Sequence, residues 1–497
     1  MHFKCIYKLK GESMKKTLIR LVSFMLLVLM LVPTFASCGK KEEENQGQTI
    51  EAETDENPNI PAKDYNGHEF TIVTKEGSAY NTRYLVAEDD TGEVLGDAIT
   101  KRNSALEQKY NIKIKHMKVA DMVTTVRSGV MSGTLEFDAI LASCIDLSTM
   151  ASEKLLYDLN TVERFDFTKS YWDHNACEQL NMGGKLYFTN CAMNIHAMGY
   201  AMFFNKALVE EYGLTSPYEY IANDNWTIDT YAEMVKSCNK DLNGDGQMTV
   251  ADRFGVLFSH SEGGTFAYAS GIRATTNNDE GKPVITLLDD KNKLETIYTK
   301  LNALYSDSEH CCCSGCDHKE AHGFAHKWAY ARHLFTQDYY LFTCQDAEDV
   351  HEFAQMENEF GIVPMPALDN SQENYYTQYP AYNNLFALPA LVVDQERTFN
   401  IIEDMNYFSS FIVYPTWFEV ILSRRYARDD ESEATLVMLK NNRVYDVGLY
   451  YNFGGIRDMV LGMDVSKSSN IVRSYERYKK TIQTSIDQTY NKFLENQ

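Results

Sequence analysis

Two stretches of this 497-residue sequence space metal-ligating side chains closely enough for inorganic chemistry. The first runs from Asp241 to Asp252, with oxygen-bearing Asp241, Asn243, Asp245, Thr249 and Asp252 at positions 1, 3, 5, 9 and 12 of a twelve-residue loop and Gly246 at position 6. This is the spacing by which an EF-hand loop wraps a hard cation in oxygens, with the backbone carbonyl of position 7, here Gln247, joining the set. The expected ion is a structural Ca²⁺; the alternative is an Asp/Gly turn that holds none. Asp stands at position 12 where EF-hands carry Glu, and Phe254 to Phe258 reads as a strand rather than an exiting helix. An ion there would stiffen a connection.

The second stretch holds His310, Cys311, Cys312, Cys313, Cys316, His318, His322 and His326. Cys313, Cys316, His322 and His326 are ligand types that hold Zn²⁺, and His318, His322 and His326 would share one helix face. The spacing is shorter than in a zinc finger and Gly323 weakens the helix. A variable surface insertion is therefore the competing reading.

Catalytic patterns are missing: the sequence contains no G-x-S-x-G, H-E-x-x-H, Walker loop or post-strand G-x-G-x-x-G. A glycosidase-like carboxylate pair would have to come from residues brought together only by the fold. With 47 Lys and Arg against 70 Asp and Glu, the formal charge of −23 argues against nucleic acid or an anionic membrane surface as the main partner. The composition, 44% hydrophobic and 24% charged, is that of a folded protein large enough for two or three domains.

The beginning of the chain reads as an export signal starting at Met14. Lys15, Lys16 and Arg20 precede the apolar run Leu21 to Val32, and Ala36-Ser37 precede Cys38. The run is too short to span a bilayer as a helix, which takes about 20 residues. Phe35-Ala36-Ser37-Cys38 resembles a bacterial lipobox, which implies lipidation of Cys38 and an anchor on the outer face of the cytoplasmic membrane; an ordinary secretory signal is the alternative. Losing residues 1–37, with six Lys/Arg and one Glu, moves the charge from −23 to −28. Residues 38–63, rich in Glu and nearly free of large apolar side chains, read as a disordered acidic tether. Of 11 Cys, Cys5 and Cys38 belong to the processed region, leaving an odd number, and Cys177 and Cys191 flank a Gly183-Gly184 turn across which they could bridge.

Strands and helices alternate from Tyr65 onward. His68 to Thr74, Ile112 to His116, Phe137 to Ala142, Lys185 to Thr189, Gly199 to Asn205 and Phe360 to Pro364 read as strands, Asp97 to Tyr110 and Lys206 to Tyr212 as helices. The chain ends in an amphipathic helix with Ile471, Tyr475, Tyr478, Ile482, Ile486, Tyr490 and Phe493 on its apolar face. This order predicts α/β layers with largely parallel sheets.

Gly184-Lys185-Leu186-Tyr187-Phe188 followed by Met202-Phe203-Phe204-Asn205-Lys206-Ala207-Leu208 resembles a passage of the extracellular solute-binding proteins of carbohydrate ABC transporters. Asn225-Trp226-Thr227, Phe360 to Pro366, Arg443 to Gly448 and Gly454-Gly455 follow in the same order as in that family. The resemblance implies a two-lobed class II periplasmic-binding-protein-like fold with a hinge between discontinuous lobes. It places lobe 1 at 64–195 and 384–430, and lobe 2 at 196–383, with the calcium loop 241–252 and the Cys/His insertion 306–326, and at 431–497. The hinge crossings fall near Asn190 to Gly199, Ala381 to Leu388 and Ser423 to Arg443.

Sugars are held by aromatic faces against C–H surfaces and by carboxylates or amides on hydroxyls. The candidate ligand-binding residues are therefore Glu76 and Tyr80 after the first strand, Asp146 after the buried strand, His196, Tyr382 and Asn383 at the crossings, Tyr451 near the Gly pair, and Trp172 and Trp417 as stacking platforms. Trp226 is set aside as part of a helix start capped by Thr227. The expectation is a monomeric, lipid-anchored protein that captures a sugar or oligosaccharide for ABC permease subunits. Its rivals are a binder of peptides or other polar solutes, a surface metal-binding protein built on the Cys/His cluster, and a glycosidase-like enzyme.

Overall fold

The computed structural model describes residues 56–77, 85–87, 94–194, 198–259, 262–313, 323–324, 327–353, 356–420, 429–462, 465 and 471–495. Its first sheet has the order β2-β1-β3-β13-β4, built from β1 (His68–Lys75), β2 (Ile112–Val119), β3 (Ala139–Ser143), β4 (Phe188–Thr189) and β13 (Asn384–Ala387). β1 runs parallel to β2 and β3, and β13 antiparallel to β3 and β4. Position in the sheet explains the sequence patterns. Central β3 is a continuous buried run, whereas edge strand β2 alternates buried Ile112 and Ile114 with exposed Lys113 and Lys115, charges that discourage pairing with another chain.

The second sheet has the order β11-β5-β10-β6-β9, from β5 (Tyr200–Asn205), β6 (Phe254–Phe258), β9 (Cys311–Cys313), β10 (Tyr340–Asp346) and β11 (Phe360–Val363). β10, β6 and β9 are parallel, while β5 is antiparallel to both β10 and β11. Two small pairs complete the strands: β7 (Thr275–Asn277) with β8 (Pro283–Ile285), and β12 (Thr377–Gln378) with β14 (Arg443–Val444).

Several elements depart from the expected bounds. The first helix runs Val94–Tyr110, a turn longer than expected. β3 starts at Ala139, because Asp138 turns its carboxylate back to accept from the Thr71 N–H at 2.9 Å. Of Lys185 to Thr189 only the last two residues pair as strand, since the Leu186 N–H is taken by Asp158 Oδ1 at 3.1 Å. The C-terminal helix, Ile471–Leu494, buries all of its expected apolar face except Tyr478, which is 42% exposed; residues 476–481 all face solvent. Cys177 and Cys191 are both free, which corrects the bridge considered for them. The Cys177 thiol lies 3.2 Å from Thr189 Oγ1, and burial pushes it up to about 12.

The chain passes between the sheets in segments that pack together. After β4, residues 190–199 lead to β5; after β11, β12 and residues 379–383 lead to β13; β14 follows the helix Asp430–Asn441, which packs on β11. Asn194 donates to Asn190 Oδ1 at 2.8 Å and to the Asn384 carbonyl at 2.6 Å, and the Tyr379 and Tyr445 rings lie 4.8 Å apart. Gly199 is required here: its φ is 97°, and a Cβ would sit 2.6 Å from Thr377 Oγ1.

Candidate functional site

In parallel sheets ligands gather beyond the carboxyl ends of the strands. In the first sheet those ends carry Glu76, Ser143 and Asn190, and β13, running the other way, begins there with Asn384 preceded by Tyr382 and Asn383. The helix Cys144–Ser152 starts directly at the end of β3, with Ser143 accepting from the Asp146 N–H. Its first two amides donate to the carbonyls of Asn383 and Ala381 at 3.1 and 3.3 Å, which pins the two edge segments together. In the second sheet the matching end carries Asp346, with Ser259 and Glu262 after β6.

One hydrogen bond spans the two edges. Asn383, 1% exposed, donates through Nδ2 to Asp346 Oδ2 at 2.8 Å. Beside it Tyr382 is 63% exposed, a large ring held at the strand ends with its face open. Asp146 lies 3.6 Å from Lys75 Nζ, and its Oδ2 has no hydrogen-bond partner. On the second-sheet side Asp349 pairs with Arg332 at 3.2 Å; burial and nearby Asp346 and Glu352 outweigh the guanidinium and push its carboxyl up to about 7. Glu262 is buried, accepting from the Ser259 N–H at 2.7 Å and from the Tyr305 hydroxyl at 3.3 Å. These groups offer carboxylates, an amide and an aromatic face, the set that recognises a hydroxylated ring.

The sequence candidates separate into three groups. Glu76, Asp146, Tyr382 and Asn383 lie on the first sheet's carboxyl edge. Trp172, Trp417 and Tyr451 pack elsewhere: Trp172 against Phe165 and Phe167 with its indole N–H on Glu403, Trp417 beside Tyr414, and Tyr451 stacked on Phe453. Tyr80 and His196 lie outside the described residues, as do Cys38, Cys316, His322 and His326; of Cys313 only the backbone, paired with Phe258 at the end of β9, is described. Asp346 was missed, although it ends an uninterrupted buried strand, the same signal that singled out Asp146.

The loop Asp241–Asp252 is closed by its own hydrogen bonds. Asp241 accepts from Gly244 and Gly246 N–H, Asn243 from Asp245, and Asp245 from Gln247, at 2.6–2.8 Å. Asp252, 0% exposed, accepts from Leu242 through Oδ1 and from the Thr249 N–H and Oγ1 through Oδ2. Asn243, Asp245, Gln247 and Thr249 are exposed. Among the described residues, the only three acidic, His or Cys side chains whose ligand atoms gather within 4.8 Å are Asp307, Glu309 and His310, so Asp241, Asp245 and Asp252 do not converge. The donor types still suit a hard cation.

No family model matches the chain, and no curated protein matches it in sequence. Solved structures match it in fold. The GacH receptor of Streptomyces glaucescens, solved unliganded and with acarbose, is 12% identical with a TM-score of 0.52, covering 84% of this chain and 99% of its own. The maltose/maltodextrin-binding domain from Bdellovibrio bacteriovorus bound to maltotriose is 15% identical with a TM-score of 0.53, covering 84% and 100%. An ABC substrate-binding protein from Listeria monocytogenes in complex with cycloalternan is 14% identical with a TM-score of 0.51, covering 86% and 99%. The chain therefore has the two-lobed α/β fold of the solute-binding proteins of ABC transporters.

Proposed function

We propose that this protein captures a sugar or oligosaccharide between its lobes and delivers it to the permease subunits of an ABC importer, acting as a monomer. The observation that carries the reading is the pair of carboxyl-terminal sheet edges joined by Asn383 and Asp346 across the hinge segments. A ligand seated there touches both lobes, so its binding energy favours the closed form that a permease can recognise. The fold likeness to proteins solved with maltotriose and cycloalternan supports a sugar over a peptide. Acylation at Cys38 would hold the protein on the extracellular face of the membrane; no helix among the described residues is long and apolar enough to cross one. The loop Asp241–Asp252 would take one Ca²⁺ in a stabilising role, and the Cys/His stretch is the place to look for Zn²⁺.

A thermal-shift screen against sugars and peptides tests the reading. A sugar is expected to bind at about micromolar Kd, roughly −8 kcal/mol, and to make the particle more compact in small-angle scattering. Binding of peptides alone, or hydrolysis of the bound sugar, would replace it.

A further inference from the structure

A pocket of about 530 Å³ opens on the flank of the hinge, and of the strand-end residues named above only Asn190 lines it. Its size is that of a small-molecule site. Its walls come from both sides of the molecule: Tyr171 to Asn175 and Tyr414 from the first lobe, Lys440 and Asn441 from the end of the helix packed on β11. Asn175 donates to the Asn441 carbonyl at 2.8 Å across its mouth. Ser410 lies within a π-helical turn, Ser409–Val413, and Tyr414 directly follows it, an irregularity frequent at functional sites.

Charge identifies the occupant. The pocket holds two cations and one carboxylate, and Asp173 is already committed, accepting from Arg443 at 2.6 Å, the Tyr445 hydroxyl at 2.6 Å and Asn190 at 3.3 Å. Lys440 is left over. Its ammonium sits 4.1 Å above the Tyr414 ring, and no carboxylate among the described residues pairs with it. Burial and the neighbouring Arg443 lower its pKa, against the opposing pull of Asp173. One unmatched charge calls for a monoanion, and Ser170, His174 and Asn175 supply polar groups for hydroxyls.

We propose that this pocket is a second binding site, for a small hydroxylated carboxylate of the sugar-acid class, and that its occupant biases the hinge. The carboxylate pairs with Lys440 while the body of the ligand rests among Tyr171 to Asn175, so an occupied pocket ties the helix end of one lobe to the other. The site stands without the sugar-capture reading; the bias on closure rests on it.

The test titrates the full chain with glucuronate by calorimetry in the absence of other sugars. One equivalent should bind, glucose should not compete, and Lys440→Gln should weaken binding about tenfold, the loss of one charge-assisted contact, with Lys440→Arg restoring most of it. Tyr382→Ala should leave it unchanged. No binding to the wild type, equal binding to Lys440→Gln, or a loss caused by Tyr382→Ala would overturn the site. Small-angle scattering with saturating glucuronate should change the particle's radius; an unchanged radius would overturn the bias alone. The sugar screen judges the other reading separately.

Discussion

Two buried carboxylates flank Tyr171 and Trp172 and are stabilised in opposite ways. Glu403, in the first lobe's interior, accepts from the Tyr171 hydroxyl at 2.7 Å, the Trp172 indole at 3.2 Å and the Asp166 N–H at 3.2 Å, and no cation among the described residues pairs with it. Burial outweighs these dipoles and pushes its carboxyl up to about 7. Asp173, one residue past Trp172, meets the Arg443 guanidinium at 2.6 Å. The difference follows from what each must join. Dipoles are enough to order the interior of a lobe, whereas the hinge uses full charges, and its ion pair exists only when β14 is in place.

The largest effect should come from breaking that pair. Arg443→Met strands Asp173 in a buried site, a change that typically costs about 3–5 kcal/mol. Urea denaturation should show it, and adding Asp173→Asn should recover part of the loss, because the double variant no longer buries a charge. A cost of the single variant under about 1 kcal/mol would mean that the hinge pair behaves like a surface one.

Glu403 should show itself through pH. Its pKa rises from 4.5 in the unfolded chain to about 7 in the fold, so the folded state binds the proton more tightly. Stability from this group is full below 4.5 and is lost as pH climbs through about 7. The penalty above that is up to about 3 kcal/mol. Glu403→Gln should flatten this part of the stability curve while Asp349, also pushed up to about 7, keeps a residual slope in the same direction. Equal slopes for wild type and Glu403→Gln would show that the Tyr and Trp dipoles suffice for the ionised form.

The same contrast explains what was legible in the sequence. Local periodicity reveals elements: β1, the strand after the calcium-type loop and the capping box at Thr227 all fall where pattern and capping rules put them. The two-lobed fold class follows from the order of such elements together with the Gly184 to Leu208 passage, which maps onto the turn before β4, onto β5 and onto the helix after it. Asp146 could be placed after its strand because a strand end is local, whereas Asn383 could be placed at a crossing only through the family resemblance. The indoles could not be placed. Whether Trp172 offers a face or packs depends on Phe165, Phe386 and Glu403, the last two more than 200 residues away, and the Asp173–Arg443 pair has no local signature.

Asn383 tests the strand-end bridge itself. Asn383→Ala removes a buried donor to a carboxylate and should cost about 2 kcal/mol. The informative measurement is small-angle scattering of the sugar-free protein, where the variant should be more open than the wild type. An identical profile would mean that the bridge follows the lobes' position without holding it.

A third kind of carboxylate lies in the loop Asp241–Asp252. Asp252 is as buried as Glu403, yet its pKa is lowered: backbone amides of Leu242 and Thr249, with the Thr249 hydroxyl, outweigh the desolvation that burial imposes. Backbone donors fix the loop's two ends before any ion arrives, and Lys240 and Arg253 close its neck with paired amides at 2.9 and 3.0 Å. A Ca²⁺ therefore has little left to fold. It would have to draw in the exposed Asp245 and its neighbours, held by Asp241, Asn243, Asp245 and Asp252 with the Gln247 carbonyl and Thr249. The gain should be correspondingly small: at a Kd near 10⁻⁴ M, typical of extracellular loops of this kind, about 1 mM calcium adds roughly 1.4 kcal/mol. A calcium-dependent rise in Tm that Asp245→Ala abolishes is the expected result, and a Tm indifferent to chelator would leave the loop as a turn that its own amides complete.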